Sequence, residues 1–457
     1  MTEIRIFDFI ANLFGKSQTA EKPVSTEMQT AIDTWLDMYQ HQESSANDSH
    51  SLDLPSAISS EFARLVMAES EFHVSSAFLD EQFQKFLKRF LIKADTAFAL
   101  GSIVFKPYVS GKKILVDMIR ADRYAPTAFD DSGQATAAVF MSRKVIGKFY
   151  YTRLETHTFY AENQTYVVEN HAYCSFSEGS LGWPCDLNSV SGWEHLQEIQ
   201  TIQNVERPLF SVYMNPSANT IDLDSPVGMS IYAHAADLIH EANQQWARIQ
   251  WEFKGTELAV DASQDLFKRD QSGQRLEMPV GNKRLFRKFR ISDDQKISDS
   301  IQTFSPAIRD ESLFNGLNHI LQRIEFNVGL AYGTLSNPTD IEKTAEEIRS
   351  SKQRSFTQVS KMQSALQEAF ENLVYAMGVY ASLYNLDNST PELSCTWGDS
   401  VLEDTEKEFQ RRLQLVMNGY LKPELFLMWY FGITKSKALE FMPEQSDDNG
   451  LFSGDSS

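Results

Sequence analysis

The pattern that most constrains the fold is a pair of long amphipathic helices separated by residues of a different character. Between residues 229 and 253, apolar side chains recur every three or four positions, which predicts one continuous helix. A similar stripe over 313–328 predicts a second helix, ended by Gly329. The residues between them are typical of short strands and turns. An insert between two paired helices has to project from the main body, so we expect a helical hairpin with a small β-rich end.

The insert, residues 254–305, differs from the rest of the chain in charge. Nine basic and five acidic residues lie between positions 254 and 292, whereas the whole chain has a formal net charge of −20. One interpretation is a solvated strand edge that its charge keeps soluble. The other is docking to an acidic partner, a neighbouring subunit or phosphates. The candidate docking residues are Lys268, Arg269, Arg275, Lys283, Arg284, Arg287, Lys288 and Arg290.

Composition excludes several classes of protein. A net charge of −20 does not suit a protein that coats nucleic acid by neutralising phosphates. Three cysteines are too few for a disulfide framework in a chain of 457 residues, so side-chain packing must stabilise the fold. The beginning of the chain does not resemble a secretory signal, and its longest apolar run near the end, residues 425–431, is too short to span a bilayer. We therefore expect a folded protein of a cytoplasm-like compartment.

The remaining patterns predict an α+β fold. Residues 15–60 are polar and indicate a loose arm, two amphipathic helices follow, and a series of strand-like runs ends near Ser225. A capping box at Thr339 and Glu342 predicts a long helix to about residue 384. That helix lacks apolar residues between 348 and 356, which indicates a crossing between two bodies or a bend. The basic residues of this stretch are Arg349, Lys352 and Arg354.

No motif recommends an enzyme. Gly15-Lys16-Ser17 lacks the earlier glycine that a phosphate-binding loop needs, and no nucleophile elbow or HExxH pattern is present. A zinc site is one alternative, with the ligand set His171, Cys174, Cys185 and His195. Only the first two of these residues are close in sequence, whereas zinc ligands usually come in closely spaced pairs. A sheet thiol and loop histidines are the favoured explanation, and we expect no metal, no cofactor and no catalytic residue.

Three segments in order resemble the portal proteins of tailed double-stranded-DNA phages, particularly the subgroup common in long-tailed phages of Gram-positive bacteria. Residues 207–253 resemble the family's P-L-F, its asparagine- and aspartate-rich loop, S-P-x-G-x-S-I-Y and the helix after it. Residues 329–351 resemble its glycine-flanked loop leading to T-A-x-E-I, and residues 397–434 resemble its D-S and D-x-x-x-E helix. No single motif is strong, but their order along residues 57–443 is that of the family.

The resemblance implies a portal fold with named regions. They are an N-terminal arm (1–56), an α/β wing (57–227), a two-helix stem (228–253 and 306–330), a β-rich clip (254–305), a tunnel loop (331–341), a long wing-crossing helix with a returning wing strand (342–398), and a helical crown with the C-terminal tail (399–457). The tunnel-loop residues that would meet DNA are Tyr332, Thr334, Leu335, Ser336 and Asn337. The bases that would face the channel are Arg349, Lys352 and Arg354. A mostly acidic wall suits a channel through which a polyanion must slide without sticking.

The resemblance also implies partners and a place of action. A portal is a ring, usually of twelve copies, at one vertex of the virion capsid, assembled in the host cytoplasm. Double-stranded DNA passes through it during packaging and ejection. Its protein partners are the terminase large subunit, the major capsid and scaffolding proteins, and the head–tail adaptor. The alternatives are a metal-dependent enzyme using His171, Cys174 and Cys185, or a non-viral scaffold ring.

Overall fold

The structure, a computed structural model, describes residues 24–40, 51–223, 225–256, 259–263, 286–289, 301–304, 307–337, 345–398 and 405–431. The chain divides into two compact units, Met1–Thr396 and Trp397–Ser457. Helices and strands both occur throughout the first unit, which confirms the predicted α+β class. None of the helices in the described ranges is long and apolar enough to cross a membrane.

The first unit contains seven described α-helices and fourteen described strands, numbered here in chain order. The helices are α1 Thr26–Tyr39, α2 Leu54–Met67, α3 Ala77–Phe90, α4 Ala94–Leu100, α5 Ala236–Gly255, α6 Asp310–Val328 and α7 Ala345–Leu383. The strands are β1 Glu71–Val74, β2 Ser102–Ser110, β3 Lys113–Arg120, β4 Tyr124–Phe129, β5 Ala135–Ile146, β6 Phe149–Tyr160, β7 Thr165–Ser175, β8 Trp183–Cys185, β9 Ile199–Gln203, β10 Ser211–Met214, β11 Ala259–Ser263, β12 Phe286–Phe289, β13 Ile301–Phe304 and β14 Leu393–Thr396.

The strands form four sheets. The largest has the order β4-β5-β6-β7, with β8 and β9 pairing to different parts of β7. A three-stranded sheet has the order β10-β2-β3, and β1 pairs with β14. All pairs in these three sheets are antiparallel. They form the meander that the alternating runs and polar turns predict.

An aromatic cluster joins the long helix α7 to the rest of the first unit. Phe370 of α7 is fully buried, and its ring lies 5.3–5.8 Å from five other phenylalanine rings. Those rings belong to Phe72, Phe83, Phe86, Phe90 and Phe105. Four of the five contacts are edge-to-face, the arrangement that aromatic quadrupoles favour. One side chain thus fixes the second half of α7 against α3, β1 and β2.

A buried group of charges connects the two larger sheets. Lys106 of β2 and Arg153 of β6 both donate to Glu155 Oε2, at 2.6 and 2.8 Å. Burial alone would raise the Glu155 pKa, but Lys106, the hydrogen bond from His157 and Arg153 hold it well below its usual range. His157 Nε2 lies 2.7 Å from Glu155 Oε1, and Nδ1 lies 2.5 Å from the Tyr166 hydroxyl. Burial lowers the pKa of His157, so the neutral ring donates to the carboxylate and accepts from the tyrosine.

The arm that its polar composition predicts as loose contains a packed helix. In α1 the side chains of Met28, Ile32, Trp35 and Leu36 are buried. Ser25 caps the helix by accepting a hydrogen bond from the Met28 amide at 3.1 Å. The apolar residues of α1 are spaced for one helical face, and the polar residues around them conceal that pattern when composition alone is considered. Residues 1–23 and 41–50 of the predicted arm lie outside the described ranges.

The first stem helix begins later than its apolar stripe predicts. The stripe starts near residue 229, but α5 begins at Ala236, after a short 3-10 turn at Ala233–Ala235. Tertiary contacts explain the delay. The Ile231 amide donates to the Phe98 carbonyl at 3.0 Å, and the Tyr232 hydroxyl donates to the Trp35 carbonyl at 2.7 Å. Phe98 belongs to α4 and Trp35 to α1, so these bonds attach the segment to two other helices in place of a further helical turn.

The second unit contains two described helices, α8 Thr405–Met417 and α9 Pro423–Phe431. Gly419 has φ +74° in the turn between them, which suits a residue without a Cβ atom. Phe409 of α8 packs on Phe426 and Tyr430 of α9, with ring centroids 5.4 and 5.1 Å apart. Many apolar side chains of this small unit stay exposed, including Met417 and Tyr420.

Candidate functional site

The two predicted stem helices form an antiparallel hairpin. Near one end, Asn327 Nδ2 of α6 donates to the His234 carbonyl, just before α5, at 3.1 Å. In the middle, Gln245 Nε2 of α5 donates to the Leu313 carbonyl of α6 at 3.1 Å. The apolar residues Ile239, Ala242 and Ile249 of α5 are buried, as are Leu317, Ile324 and Val328 of α6. The stripes that predict the helices thus account for the packing between them.

An ion pair closes the hairpin where the insert begins and ends. Arg309, next to the start of α6, donates from Nε and Nη2 to the two oxygens of Glu252 in α5, at 3.0 and 2.8 Å. This two-point geometry fixes orientation as well as distance. The hydrogen bond from Arg309 holds the pKa of Glu252 below its usual value. The ends of the helices therefore meet directly below the insert.

The insert contains one described sheet, of order β12-β11-β13. Strand β11 is parallel to β12 and antiparallel to β13. Arg287 and Lys288 lie in β12, opposite Asp261 and Ala262 of β11 in the backbone register. The other six predicted docking bases lie outside the described residues: Lys268, Arg269, Arg275, Lys283, Arg284 and Arg290. A small β-rich body thus stands at the end of the hairpin, as the sequence predicts.

A buried glutamate of α6 holds the loop that follows the hairpin. The side chain of Glu325 has no exposed surface. Its Oε1 accepts from the amides of Leu335 and Ser336 at 2.6 and 2.8 Å. Its Oε2 accepts from the Ser336 hydroxyl at 2.8 Å and the Gly333 amide at 3.3 Å. Four donors from one short loop therefore converge on one carboxyl group.

A second polar residue of α6 continues this attachment. Asn318, two helical turns before Glu325, is also buried. Its Oδ1 accepts from the Asn337 amide at 2.7 Å, and its Nδ2 donates to the Asn337 carbonyl at 3.3 Å. A spacing of seven residues places both side chains on the same face of the helix. After Gly329 the chain therefore turns back and runs along α6 in the reverse direction.

This attachment divides the predicted tunnel-loop residues into two kinds. Ser336 is buried and its hydroxyl is bonded to Glu325, and Leu335 is half-buried. Thr334 and Asn337 are exposed, and Tyr332 is partly exposed. The Thr334 hydroxyl donates to the Ala331 carbonyl at 2.6 Å, so towards a ligand its oxygen can act only as an acceptor. Residues 338–341 of the predicted loop lie outside the described ranges.

The basic residues of the long helix also differ in surroundings. Helix α7 is uninterrupted from Ala345 to Leu383 through the stretch without apolar residues. Lys352 is exposed. Arg354 is half-buried, and its guanidinium lies 4.3 Å from the centre of the Phe326 ring in α6. Arg349 lies in the helix, but its side chain is outside what the structure describes.

The alternative zinc ligands do not converge. Cys174 of β7 lies opposite Trp183, and Cys185 lies opposite Ala172, so the thiols occupy neighbouring strands. His171 and His195 are both exposed. Among the residues that the structure describes, no three His, Cys, Asp or Glu side chains group as metal ligands would. Burial raises the pKa of the Cys185 thiol, which makes it a poorer ligand and nucleophile.

Sequence reasoning missed Glu325 and Asn318. Each directly follows an apolar stripe residue, Ile324 and Leu317, so each lies at the border of the buried face. A polar residue at that border reaches either water or a neighbouring backbone. The sequence offers one signal, which is that the two polar residues are seven positions apart and therefore share a face.

Comparisons with known proteins find a resemblance in structure alone. No family model and no curated protein matches the chain. The structure is similar to a chain in a solved structure described as "Neck of native GTA particle computed with C12 symmetry". The two are 10% identical with a TM-score of 0.45, and the match covers 93% of this chain and 99% of the other.

Proposed function

We propose that this chain is a phage portal protein, one subunit of a ring at a single capsid vertex through which double-stranded DNA enters and leaves. The observation that carries the proposal is the order of parts around the helical hairpin. A β insert stands between the two helices of the hairpin, and the Glu252–Arg309 ion pair joins the helix ends next to it. The second helix carries a buried carboxyl group that fixes the loop after it. The order of helix, insert, helix and loop is the one that the sequence resemblance implies.

In this proposal each part has a mechanical role. The hairpins of neighbouring subunits stand side by side and wall the channel, and the insert reaches the terminase large subunit and later the head–tail adaptor. The loop held by Glu325 lies at the channel surface, where Thr334, Asn337 and Tyr332 touch the DNA backbone. The rest of the first unit meets the capsid and scaffolding proteins. The role is that of a conduit, without a catalytic residue, metal or cofactor.

Electrostatics suits this role. A conduit must let a polyanion slide, and a chain of net charge −20 repels DNA over most of its surface. A few polar and basic contacts, Lys352 among them, supply weak and easily broken interactions. A channel wall rich in lysine would neutralise DNA phosphates and release their counterions, and the resulting tight binding would hold the DNA in place.

The test is to image the purified full-length chain and to weigh its particles. A portal gives rings with a central hole and a mass of twelve times 52.0 kDa, or a neighbouring multiple. A compact monomer would refute the proposal. A ring that does not support genome packaging in a complementation assay would favour the non-viral scaffold. Stoichiometric zinc in the purified protein would favour the enzyme alternative.

The loop is tested separately, in rings. Removal of residues 333–337 should leave ring assembly intact but impair DNA packaging or retention. Because the same deletion takes the donors away from Glu325, the milder variant Thr334→Ala serves as a second measurement that leaves the attachment in place. Normal genome filling by the deletion variant would show that the loop does not act on DNA.

A further inference from the structure

The clearest unexplained surface lies at one end of the six-stranded sheet, where β5 turns into β6 and β7 leads to β8. Five apolar residues gather there: Val145, Ile146, Phe149, Phe176 and Trp183, here called the tip patch. Exposed fractions are 63% for Val145, 66% for Phe176 and 47% for Trp183. The Phe176 ring lies 4.6 Å from Phe149 and 5.4 Å from Trp183, so these three rings are contiguous. A contiguous apolar patch of this kind marks an interaction surface.

Three cations lie beside the tip patch, in a chain that is strongly negative. Arg143, Lys144 and Lys148 flank the turn between β5 and β6. Arg143 lies over the Tyr150 ring, at 5.0 Å, and donates to a main-chain carbonyl. Lys144 donates to the Ser191 carbonyl at 2.6 Å. The acids Glu178 and Glu194 are close enough to act on Arg143 and Lys144, whereas Lys148 is exposed at the turn.

The other end of the same sheet carries the opposite charge. A cleft of about 430 Å³ lies between the start of β5 and α7, lined in part by Thr136 and Phe159. Its exposed acids are Asp130, Glu206, Glu368 and Glu371. One cation, Arg207, lines it as well and is engaged by Asn372 Oδ1 at 3.1 Å. The acids outnumber the base, so the cleft suits a basic segment.

The tip patch and the cleft cannot meet within one chain. Strand β5 runs from Ala135 at the cleft to Ile146 at the tip. At about 3.3 Å per residue, the two ends are roughly 35 Å apart. A tip patch can therefore contact such a cleft only on another molecule. A contact between two different surfaces of identical subunits is heterologous, and it generates a ring where the rotation closes.

We propose that the tip patch of one subunit docks in the acidic cleft of a second copy of this chain. Lys148 pairs with the cleft acids Glu368 and Glu371, while Phe176 and Trp183 lose their exposure to water. The inference rests on the proposed ring and names one of its subunit contacts. It accounts for both surfaces together, since a chain of net charge −20 offers an acidic partner to its own basic patch.

A zero-length carboxyl–amine cross-linker tests the contact in the wild-type protein. Isotope-labelled and unlabelled chains are mixed before assembly, cross-linked and digested. The expected product joins Lys148 to Glu368 or Glu371 across the two isotope populations, which a link within one chain cannot give at roughly 35 Å. Links from Lys148 in assembled particles that go only to other acids would overturn the proposal.

Charge reversal gives an independent measurement. Lys148→Glu and Glu371→Lys should each weaken association at least about tenfold, because they place like charges together. The double variant should recover most of the loss. Lys112→Glu, at an exposed lysine in the turn between β2 and β3, is the matched control and should assemble as wild type. Circular dichroism checks that every variant folds.

The outcomes separate the two proposals. If the wild type forms rings and both reversed variants form them equally well, the docking contact is wrong and the ring stands. If the wild type remains monomeric, both proposals fail. If Lys148→Glu and Glu371→Lys each fail to assemble but the double variant does not recover, the two surfaces meet other partners, and the direct pairing is refuted.

Discussion

Glu325 and Ser336 meet through two separate hydrogen bonds, one from the serine amide to Oε1 and one from its hydroxyl to Oε2, both at 2.8 Å. The glutamate belongs to the second helix of the hairpin and the serine to the loop after it. Both side chains are buried. The carboxyl also accepts from the amides of Leu335 and Gly333, so Glu325 holds residues 333–336, while Asn318 holds Asn337.

Replacing Glu325 should therefore release the loop. Glu325→Ala leaves buried amides without an acceptor, and we expect the free energy of unfolding to fall by roughly 2–4 kcal/mol. Amide hydrogen exchange over residues 330–337 should become faster than in the wild type. Arg323→Gln, at an exposed position of the same helix, should change neither quantity. Unaltered exchange in Glu325→Ala would contradict the attachment.

The buried group around Glu155 predicts a dependence of stability on pH. Burial lowers the pKa of His157 in the folded state below its ordinary 6.5. In mildly acidic solution this histidine is therefore protonated in the unfolded chain but neutral in the folded one. Stability should thus fall as pH drops below about 6.5. Glu155, whose folded pKa is well below the ordinary 4.5, adds a further loss of the same sign once the pH falls through and below 4.5.

Thermal unfolding between pH 8 and 5 measures the histidine contribution. His157→Gln keeps hydrogen-bonding capacity without a titrating ring, so its stability should decline less steeply with falling pH than that of the wild type. The exposed His195 provides the control, because His195→Gln should leave the slope as it is. Parallel curves for wild type and His157→Gln would mean that His157 does not titrate differently on folding.

Phe370 should be one of the costliest core positions. It is fully buried and touches five aromatic rings, so Phe370→Ala leaves a cavity that a rigid helix and a sheet cannot close. We expect the free energy of unfolding to fall by about 3–5 kcal/mol. On the same helix Phe356 is 41% exposed. Chemical denaturation of Phe356→Ala should give a far smaller change, and equal losses for both variants would show that the cluster does not anchor α7.

Lys352 and Arg354 should respond differently to loss of charge. Arg354→Gln removes the guanidinium from the Phe326 ring, which should lower stability by about 1 kcal/mol, and Arg354→Lys should recover only part of it. Lys352→Gln should leave stability unchanged, since its side chain is exposed. In the proposed channel Lys352 faces DNA, so DNA release from particles filled with the Lys352→Gln variant should depend less steeply on salt concentration than release from wild-type particles. Thermal unfolding and DNA-release assays measure the two effects.

Periodicity predicted the local elements well where one face of an element is buried. The stripes at Leu317 and Ile324 and at Ala242 and Ile249 mark the packed sides of α6 and α5. Composition misleads at α1, where polar neighbours indicate a loose arm although Trp35 lies on the apolar face of a packed helix. Periodicity misleads at Tyr232, where bonds to other parts of the chain overrule a helical pattern. The tunnel-loop and docking residues stay predictions until assembly and packaging are measured.

The sequence alone determined the helical hairpin, its basic β insert and the strands of the meander, because these follow from which faces of local elements are apolar. Only the tertiary structure decided that Glu325 and Asn318 hold the loop, and that the two ends of one sheet carry opposite charge. The physical reason is that a polar side chain at the edge of an apolar stripe has no partner until the chain folds. What it binds then depends on residues brought close by packing, and no spacing in the sequence specifies that.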